Sequence, residues 1–296
     1  MAQQGTHAWF EERSGKLTAS NLGFLLGLCT WKSRKQAYAQ IRGGGYSAAE
    51  EDTPVPCLWG QRNEINALTE YSARTGNSVQ ASGFKVHPYI KWMGGSPDGL
   101  VGKAGIVEAK CPYNVVKGSR LHTTIPIYYY IQIIALIEIH DRQWCDYICW
   151  TPNEGCRIYH VSRDKVLFDY LLTHFSQIHA AFISGCDDIP KLQSGTKKEI
   201  VARVQQSMQE KIDHNFWLHL PCTEPPSLYE DEIQDGEGSD LSEEGGGRAE
   251  VRDGNESSPS KADRKRDREG EYEEDTGPFR QVCNEEVQVQ EVCCNV

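Results

Sequence analysis

The segment Gly105-Ile106-Val107-Glu108-Ala109-Lys110-Cys111 is an apolar run between a glycine and Pro112, interrupted by one acid and one base. Apolar residues filling a short stretch between such breakers predict a β-strand. Side chains alternate along a strand, so Glu108 and Lys110 point to the same face. Asp98 stands upstream in a Pro-Asp-Gly turn and can fold back toward that face. Two carboxylates and an ammonium on one rigid sheet edge make a site for a hard divalent cation and an activated water. Taken singly, each residue has an ordinary explanation: turn chemistry for Asp98, a solvated edge for the Glu–Lys pair. Together they do not. The strand is otherwise apolar, so its other face is buried, and a charged pair there costs free energy unless something such as a metal compensates it. The pattern is that of a metal-dependent nuclease centre.

The 296 residues suffice for one large domain or two small ones. A net charge of −11 argues at first against a nucleic-acid partner. The charge is uneven, however. From Pro221 onward there are 8 basic and 22 acidic residues, a net of −14, which leaves +3 for the rest. A mildly basic body is compatible with a locally basic groove. The first twenty residues carry Glu11, Glu12, Arg13 and Lys16 and no apolar core segment, so no signal peptide is expected. No uninterrupted apolar stretch approaches the roughly 20 residues of a membrane helix. The expected setting is intracellular and reducing, nuclear or cytoplasmic, with the cysteines as thiols. Cys145, Cys149 and Cys156 are the cluster to weigh as metal ligands. With no CxxC pair, and with Cys145 and Cys149 on the strand face of Tyr147, buried thiols are the better reading.

Taken in order, Arg13, Lys16 and Ser20 lead into an apolar helix over Asn21–Leu28, which Thr18 or Ser20 can cap. An arginine ahead of such a cap fits a phosphate pocket or simply a solvated side chain. Ser33–Ile41 is a second helical segment, and 43–56 is a loop by its Gly, Pro and acidic content. A third helix follows, with Leu58, Ile65, Leu68 and Tyr71 at helical intervals and Gly76 as C-cap. Glu64 falls at the edge of its apolar face, as a boundary residue or one that looks into a cleft. Val79–Pro88 and Lys91–Gly95 read as paired strands that deliver the chain to Asp98. Ile125–His140 is apolar almost all round and reads as a buried helix, with Gln132 as the polar residue in its middle. A buried glutamine needs partners, as a satisfied core amide or facing the catalytic strand. Trp144–Thr151 and Cys156–Val161 form a hairpin, and Asp164–Ile183 and Thr196–Asn215 are helices. From Pro221 the composition is that of a disordered tail. KADRKRDRE within it reads as a solvated linker rather than an import signal.

RSGKLTAS, WGQRNE, GGSPDGLVG, GIVEAKCP, YYYIQ and WCDYICWTP stand in the order found in lambda-exonuclease-like proteins. Over residues 7–185 the chain resembles that family, the YqaJ viral-recombinase family of the PD-(D/E)xK nuclease superfamily. The resemblance implies an α/β fold, a PD-(D/E)xK core in which a central mixed sheet of about five strands is flanked by helices. It implies a nuclease domain over residues 1–220 and an acidic tail over 221–296. Asp98 and Glu108 match the family's metal ligands, with the backbone carbonyl of Ala109 a further one. Lys110 matches the lysine that orients or deprotonates the attacking water. Glu64 matches the helix acid that supports the metal through water, and Gln132 the glutamine facing the catalytic strand. Arg13, Ser20 and Ser96 match residues that hold a terminal 5′ phosphate. The implied cofactor is Mg²⁺, with Mn²⁺ as substitute. The implied partners are double-stranded DNA ends, a single-strand annealing protein and further copies of the chain in a trimer.

One departure concerns the metal site. Where some relatives carry an extra aspartate between Glu64 and Asp98, Gly94 and Gly95 stand instead, so one full metal site is better founded than two. The resemblance thus implies a Mg²⁺-dependent, 5′-phosphate-directed 5′–3′ exonuclease on duplex ends in recombination. The competing readings are an endonuclease with the same core and a non-catalytic DNA-binding scaffold. The second would be favoured by a missing carboxylate or lysine, and none is missing.

Overall fold

In the computed structural model, residues 6–29, 32–42, 54–113 and 118–213 are described. The acidic tail lies outside them. The helices are α1 (His7–Arg13), α2 (Ala19–Leu25), α3 (Arg34–Arg42), α4 (Val55–Thr75), α5 (Ile127–His140), α6 (Lys165–Ile183) and α7 (Thr196–Lys211). The strands are β1 (Leu17–Thr18), β2 (Val79–Gln80), β3 (Lys85–Val86), β4 (Met93–Gly95), β5 (Gly99–Val101), β6 (Gly105–Lys110), β7 (Trp144–Thr151), β8 (Gly155–Ser162) and β9 (Ile212–Asp213).

The main sheet is mixed and six-stranded, in the order β2-β5-β6-β7-β8-β9. β5 and β6 form an antiparallel hairpin, β7 joins β6 in parallel, and β8 and β9 continue antiparallel. The parallel step requires a crossover, and α5 supplies it. β6 is therefore an interior strand. The expectation that Asp98, Glu108 and Lys110 lie at a sheet edge is corrected accordingly: the parallel crossover adds β7 and its successors beyond β6. A separate three-stranded sheet, β1-β4-β3, takes up what had read as one long strand pair. The chain over 79–88 breaks at Ala81–Gly83, so β2 joins the main sheet and β3 the small one.

Both faces of the main sheet are covered, which makes the molecule an α/β layer structure. On one face Ile106 of β6 and Cys145, Tyr147 and Cys149 of β7 pack with α2, α3, α5, α6 and α7. On the other, Val107 and Ala109 of β6 and Ile148 and Trp150 of β7 pack with Ala67 and Tyr71 of α4. α5 is buried over nearly its whole length, as its all-round apolar sequence requires. α2 crosses it so closely that a Cβ on Gly23 would lie 2.6 Å from Cβ of Tyr128. α4 ends at Gly76, with φ of 71°, in the left-handed conformation glycine takes at low cost.

Three element readings change. α1 is an unforeseen helix, capped by the Thr6 side chain on the Trp9 amide. Thr18 is the N-cap of α2, so Ser20 sits inside its first turn. On α4 the buried stripe runs through Cys57, Asn63, Ala67 and Tyr71, while Ile65 is 66% exposed. Glu64 thus borders the sheet-facing side and Ile65 faces solvent. Cys145 and Cys149 are buried beside Tyr147 as thiols.

Candidate active site

β6 holds the centre of the site. Glu108 and Lys110 are 1% and 2% exposed, on the face that meets α5. Two charges can be buried there because each is hydrogen-bonded. Lys110 Nζ donates to Glu108 Oε1 at 2.5 Å and to the Ala109 carbonyl at 3.2 Å, and lies 5.1 Å from the Tyr129 ring centroid. Gln132 of α5 donates its Nε2 to the same Glu108 oxygen at 2.6 Å. The hairpin register, Gly99 opposite Val107, sets Asp98 at the mouth of the ladder beside Glu108. Asp98 Oδ2 accepts the Ala109 amide at 2.7 Å. Glu64 of α4 completes the acid group: burial, and then the negative charges of Asp98 and Glu108, push its carboxyl up to about 9, with Lys110 opposing. The structure thus brings Glu64, Asp98, Glu108, Lys110 and Gln132 to one place, from α4, the approach to β5, β6 and α5.

This donor set suits a hard divalent cation. The oxygens are carboxylates and a backbone carbonyl, and Glu64 is raised first by burial and then by the charges of Asp98 and Glu108, which Lys110 only partly opposes. Among the described residues, no three His, Cys, Asp or Glu side chains converge closely enough to hold a metal ion by themselves. The shell would rest on Asp98, Glu108, the Ala109 carbonyl and waters, as Mg²⁺ permits. At Gly94 and Gly95 an added side chain would displace its neighbours: a Cβ on Gly94 would lie 2.4 Å from Cζ of Phe84 and 2.9 Å from the Lys85 carbonyl oxygen, and one on Gly95 2.7 Å from Cδ2 of Leu136.

The three phosphate candidates gather around α1, α2 and β4. β1 pairs in parallel with β4, Thr18 opposite Gly94, which brings the start of α2 beside the segment leading to Ser96. A Cβ on Gly95 would lie 3.0 Å from Cβ of Ala19. Ser20 Oγ is 3.2 Å from Thr18 Oγ1, which also accepts Asn21 Nδ2 at 2.9 Å. The link between Arg13 and Ser96 is Trp9, absent from the candidates read from sequence. Its buried indole donates to Ser96 Oγ at 2.9 Å, and the Arg13 guanidinium lies 3.9 Å from its ring centroid. The signal for Trp9 is its i, i+4 spacing from Arg13, which places both on one helix face once α1 is recognised. His140, also unforeseen, makes a 3.1 Å hydrogen bond between its Nε2 and the Gly95 carbonyl. α5 therefore touches both halves of the site, Glu108 through Gln132 and the Ser96 segment through His140.

The carboxylate–lysine cluster thus sits at a β-hairpin mouth on an α/β core. Residues 8–143 match the family model of the YqaJ-like viral recombinase domain. The match spans every candidate residue named above. The chain is similar to the solved structure of the alkaline exonuclease LHK-Exo from Laribacter hongkongensis, with 23% identity and a TM-score of 0.46 over 69% of this chain and 97% of that one. LHK-Exo in complex with dAMP gives a TM-score of 0.45 at the same identity and coverage. A phage related exonuclease from Haemophilus somnus 129PT gives 14% identity and a TM-score of 0.40, over 66% and 94% of the two chains. No curated protein matches the chain.

Proposed function

We propose that the chain is a metal-dependent deoxyribonuclease that hydrolyses phosphodiester bonds from double-stranded DNA ends carrying a 5′ phosphate, in the 5′–3′ direction, during recombination. The observation that carries this reading is the hydrogen-bonded group of Asp98, Glu108, Lys110 and Gln132, with Glu64 near enough to feel its charges, inside the stretch that matches the YqaJ-like family model. Asp98, Glu108 and the Ala109 carbonyl would hold a Mg²⁺ ion, with Glu64 acting through water and Mn²⁺ as substitute. When bound, the ion supplies polarisation of the scissile phosphate and an acidified water. The remaining work falls to the protein. Gln132 fixes the Glu108 carboxylate, leaving its geometry independent of substrate. Lys110, held between Glu108 and the Ala109 carbonyl, directs its ammonium protons to the attacking water. The Ala109 amide orients the Asp98 carboxylate.

Arg13, Ser20 and Ser96 would seat the terminal phosphate and so make the enzyme start from ends. Ser96 Oγ accepts the Trp9 indole proton, so the hydroxyl proton of Ser96 is directed elsewhere and can be donated to phosphate. Arg13 stacks on Trp9, which orients a planar fork suited to phosphate. A single-strand annealing protein and a trimer of this chain belong to the same reading as partners.

The test is incubation with linear duplex DNA, with and without a 5′ phosphate, and with closed circular DNA, each in Mg²⁺ and in EDTA. Mg²⁺-dependent loss of the phosphorylated linear duplex alone supports the end-directed enzyme. Cutting of the circle replaces it with an endonuclease, and DNA binding without any cleavage replaces it with a scaffold.

A further inference from the structure

Beyond the C-terminal end of α2 lies a cavity of about 750 Å³ that the active site does not use. Among the described residues its wall carries Lys32, Arg34, Lys35, Lys191 and Lys197 and one acid, Asp188. That acid does little to neutralise the rest: it lies 3.5 Å from Lys35, with both side chains more than four-fifths exposed, where an ion pair is weak. The walls are built rather than draped. Arg34 donates Nε to the Leu25 carbonyl at 2.7 Å and a terminal nitrogen to the Pro190 carbonyl at 3.0 Å, tying the two sides together. From α3, Tyr38 donates to the Cys186 carbonyl at 3.1 Å and Arg42 pairs with Asp187 at 2.9 Å, fixing the opposite wall. Lys32 is half-buried, donates to Gln40 Oε1 and lies 5.3 Å from the Phe24 ring centroid, so its ammonium is held at the wall of the cavity.

The position is informative too. α2 begins beside Ser20 and runs toward the cavity. Its seven residues span about 10 Å, about three base-pair steps of B-form DNA at 3.4 Å each. We propose that this cavity is a second phosphate-binding site, which holds the phosphodiester backbone of the substrate duplex a few nucleotides from the seated end. The inference rests on the reading of the chain as an enzyme of duplex DNA. Its chemistry is separate from that of the carboxylate site. Lysines offer point charges without base-reading geometry, so the contact is indifferent to sequence and sensitive to salt.

The experiment is the affinity of the full chain for a 5′-phosphorylated duplex of two helical turns, measured by fluorescence anisotropy across a salt series, with Ca²⁺ in place of Mg²⁺. Lys191→Glu/Lys197→Glu, both exposed and outside the catalytic group, is compared with wild type. The milder Lys191→Gln/Lys197→Gln serves if the reversal fails to fold. The expected result is binding about tenfold weaker, and a slope of log affinity against log salt shallower by about 2, for two lost phosphate contacts. Unchanged affinity and slope in a folded variant overturn the inference, as does a loss of affinity with the slope intact. A wild type that binds with the expected slope but never cuts in Mg²⁺ contradicts the nuclease and leaves the cavity's role standing. Cutting with binding indifferent to the lysines does the reverse.

Discussion

Trp9 shows how a single buried residue can organise a charged site without touching its substrate. Its indole holds Ser96 on one side and its ring supports Arg13 on the other. Trp9→Phe keeps a ring for the stack and removes the hydrogen bond, a loss of about 1 kcal/mol. We expect the preference for phosphorylated over hydroxyl ends to fall about fivefold to tenfold, with the rate on hydroxyl ends little changed. Equal loss on both substrates would show a merely structural role. Lys110 gives a second prediction. Removing it strands the buried Glu108 carboxylate, which costs about 3 kcal/mol or more in such pairs. Lys110→Met should therefore melt earlier than wild type in EDTA and recover part of the difference in Mg²⁺, while hydrolysis stays lost. A variant as stable as wild type in EDTA would contradict the buried pair.

Among the elements, α4 and α5 clamp the β5–β6 hairpin and β7 from opposite faces. α4 is tied to the sheet by Tyr71, whose hydroxyl donates to Asp146 Oδ2 at 2.6 Å and accepts Asn77 Nδ2 at 2.9 Å. Asp146 is buried, and its other oxygen meets His160 Nδ1 at 2.6 Å. Tyr71→Phe leaves a buried carboxylate short of a donor. Urea unfolding should show a loss of about 2 kcal/mol, within the range for a hydrogen bond to a charged group. No change in the unfolding midpoint would remove Tyr71 as the anchor. Long periodic elements were legible from sequence: α5, α6 and the β7–β8 hairpin come out where their patterns place them. α1 was not, because seven residues with Trp9 and Phe10 among acids give too short a period to register. Nor were β2 and β3, two residues each, whose assignment to different sheets depends on partners far along the chain. The face of α4 was misjudged by one position, since Ile65 is apolar yet exposed and the true stripe includes Asn63.

For the whole molecule, stability should depend on acid through His140. Burial pushes its imidazole down to about 4 from 6.5, with the hydrogen bond to the Gly95 carbonyl opposing. The folded state therefore binds the neutral ring, and its contribution is complete above pH 6.5. As pH falls from 6.5 to about 4, the unfolded chain takes up the proton first and stability declines, by about 3 kcal/mol in all. His140→Gln should flatten that part of the curve of unfolding free energy against pH. An unchanged decline would place its cause elsewhere. That Asp98, Glu108 and Lys110 come together was legible in the sequence from their type and spacing. Their place on an interior strand was not, because it depends on the parallel crossover through α5 that sets β7 beside β6.

The proposed function rests on Asp98 and its neighbours acting as a cation-dependent hydrolytic site. The measurement that bears on it most directly is nucleotide release from a 5′-phosphorylated linear duplex in Mg²⁺ by wild type and by Asp98→Asn, with duplex affinity recorded for both. Asp98→Asn keeps an oxygen to accept the Ala109 amide but loses the charge. The account predicts that wild type releases nucleotides only with the cation present. Asp98→Asn should fall by about a thousandfold or more, about 4 kcal/mol of transition-state stabilisation, while still binding the duplex. Hydrolysis by Asp98→Asn at the wild-type rate would contradict it.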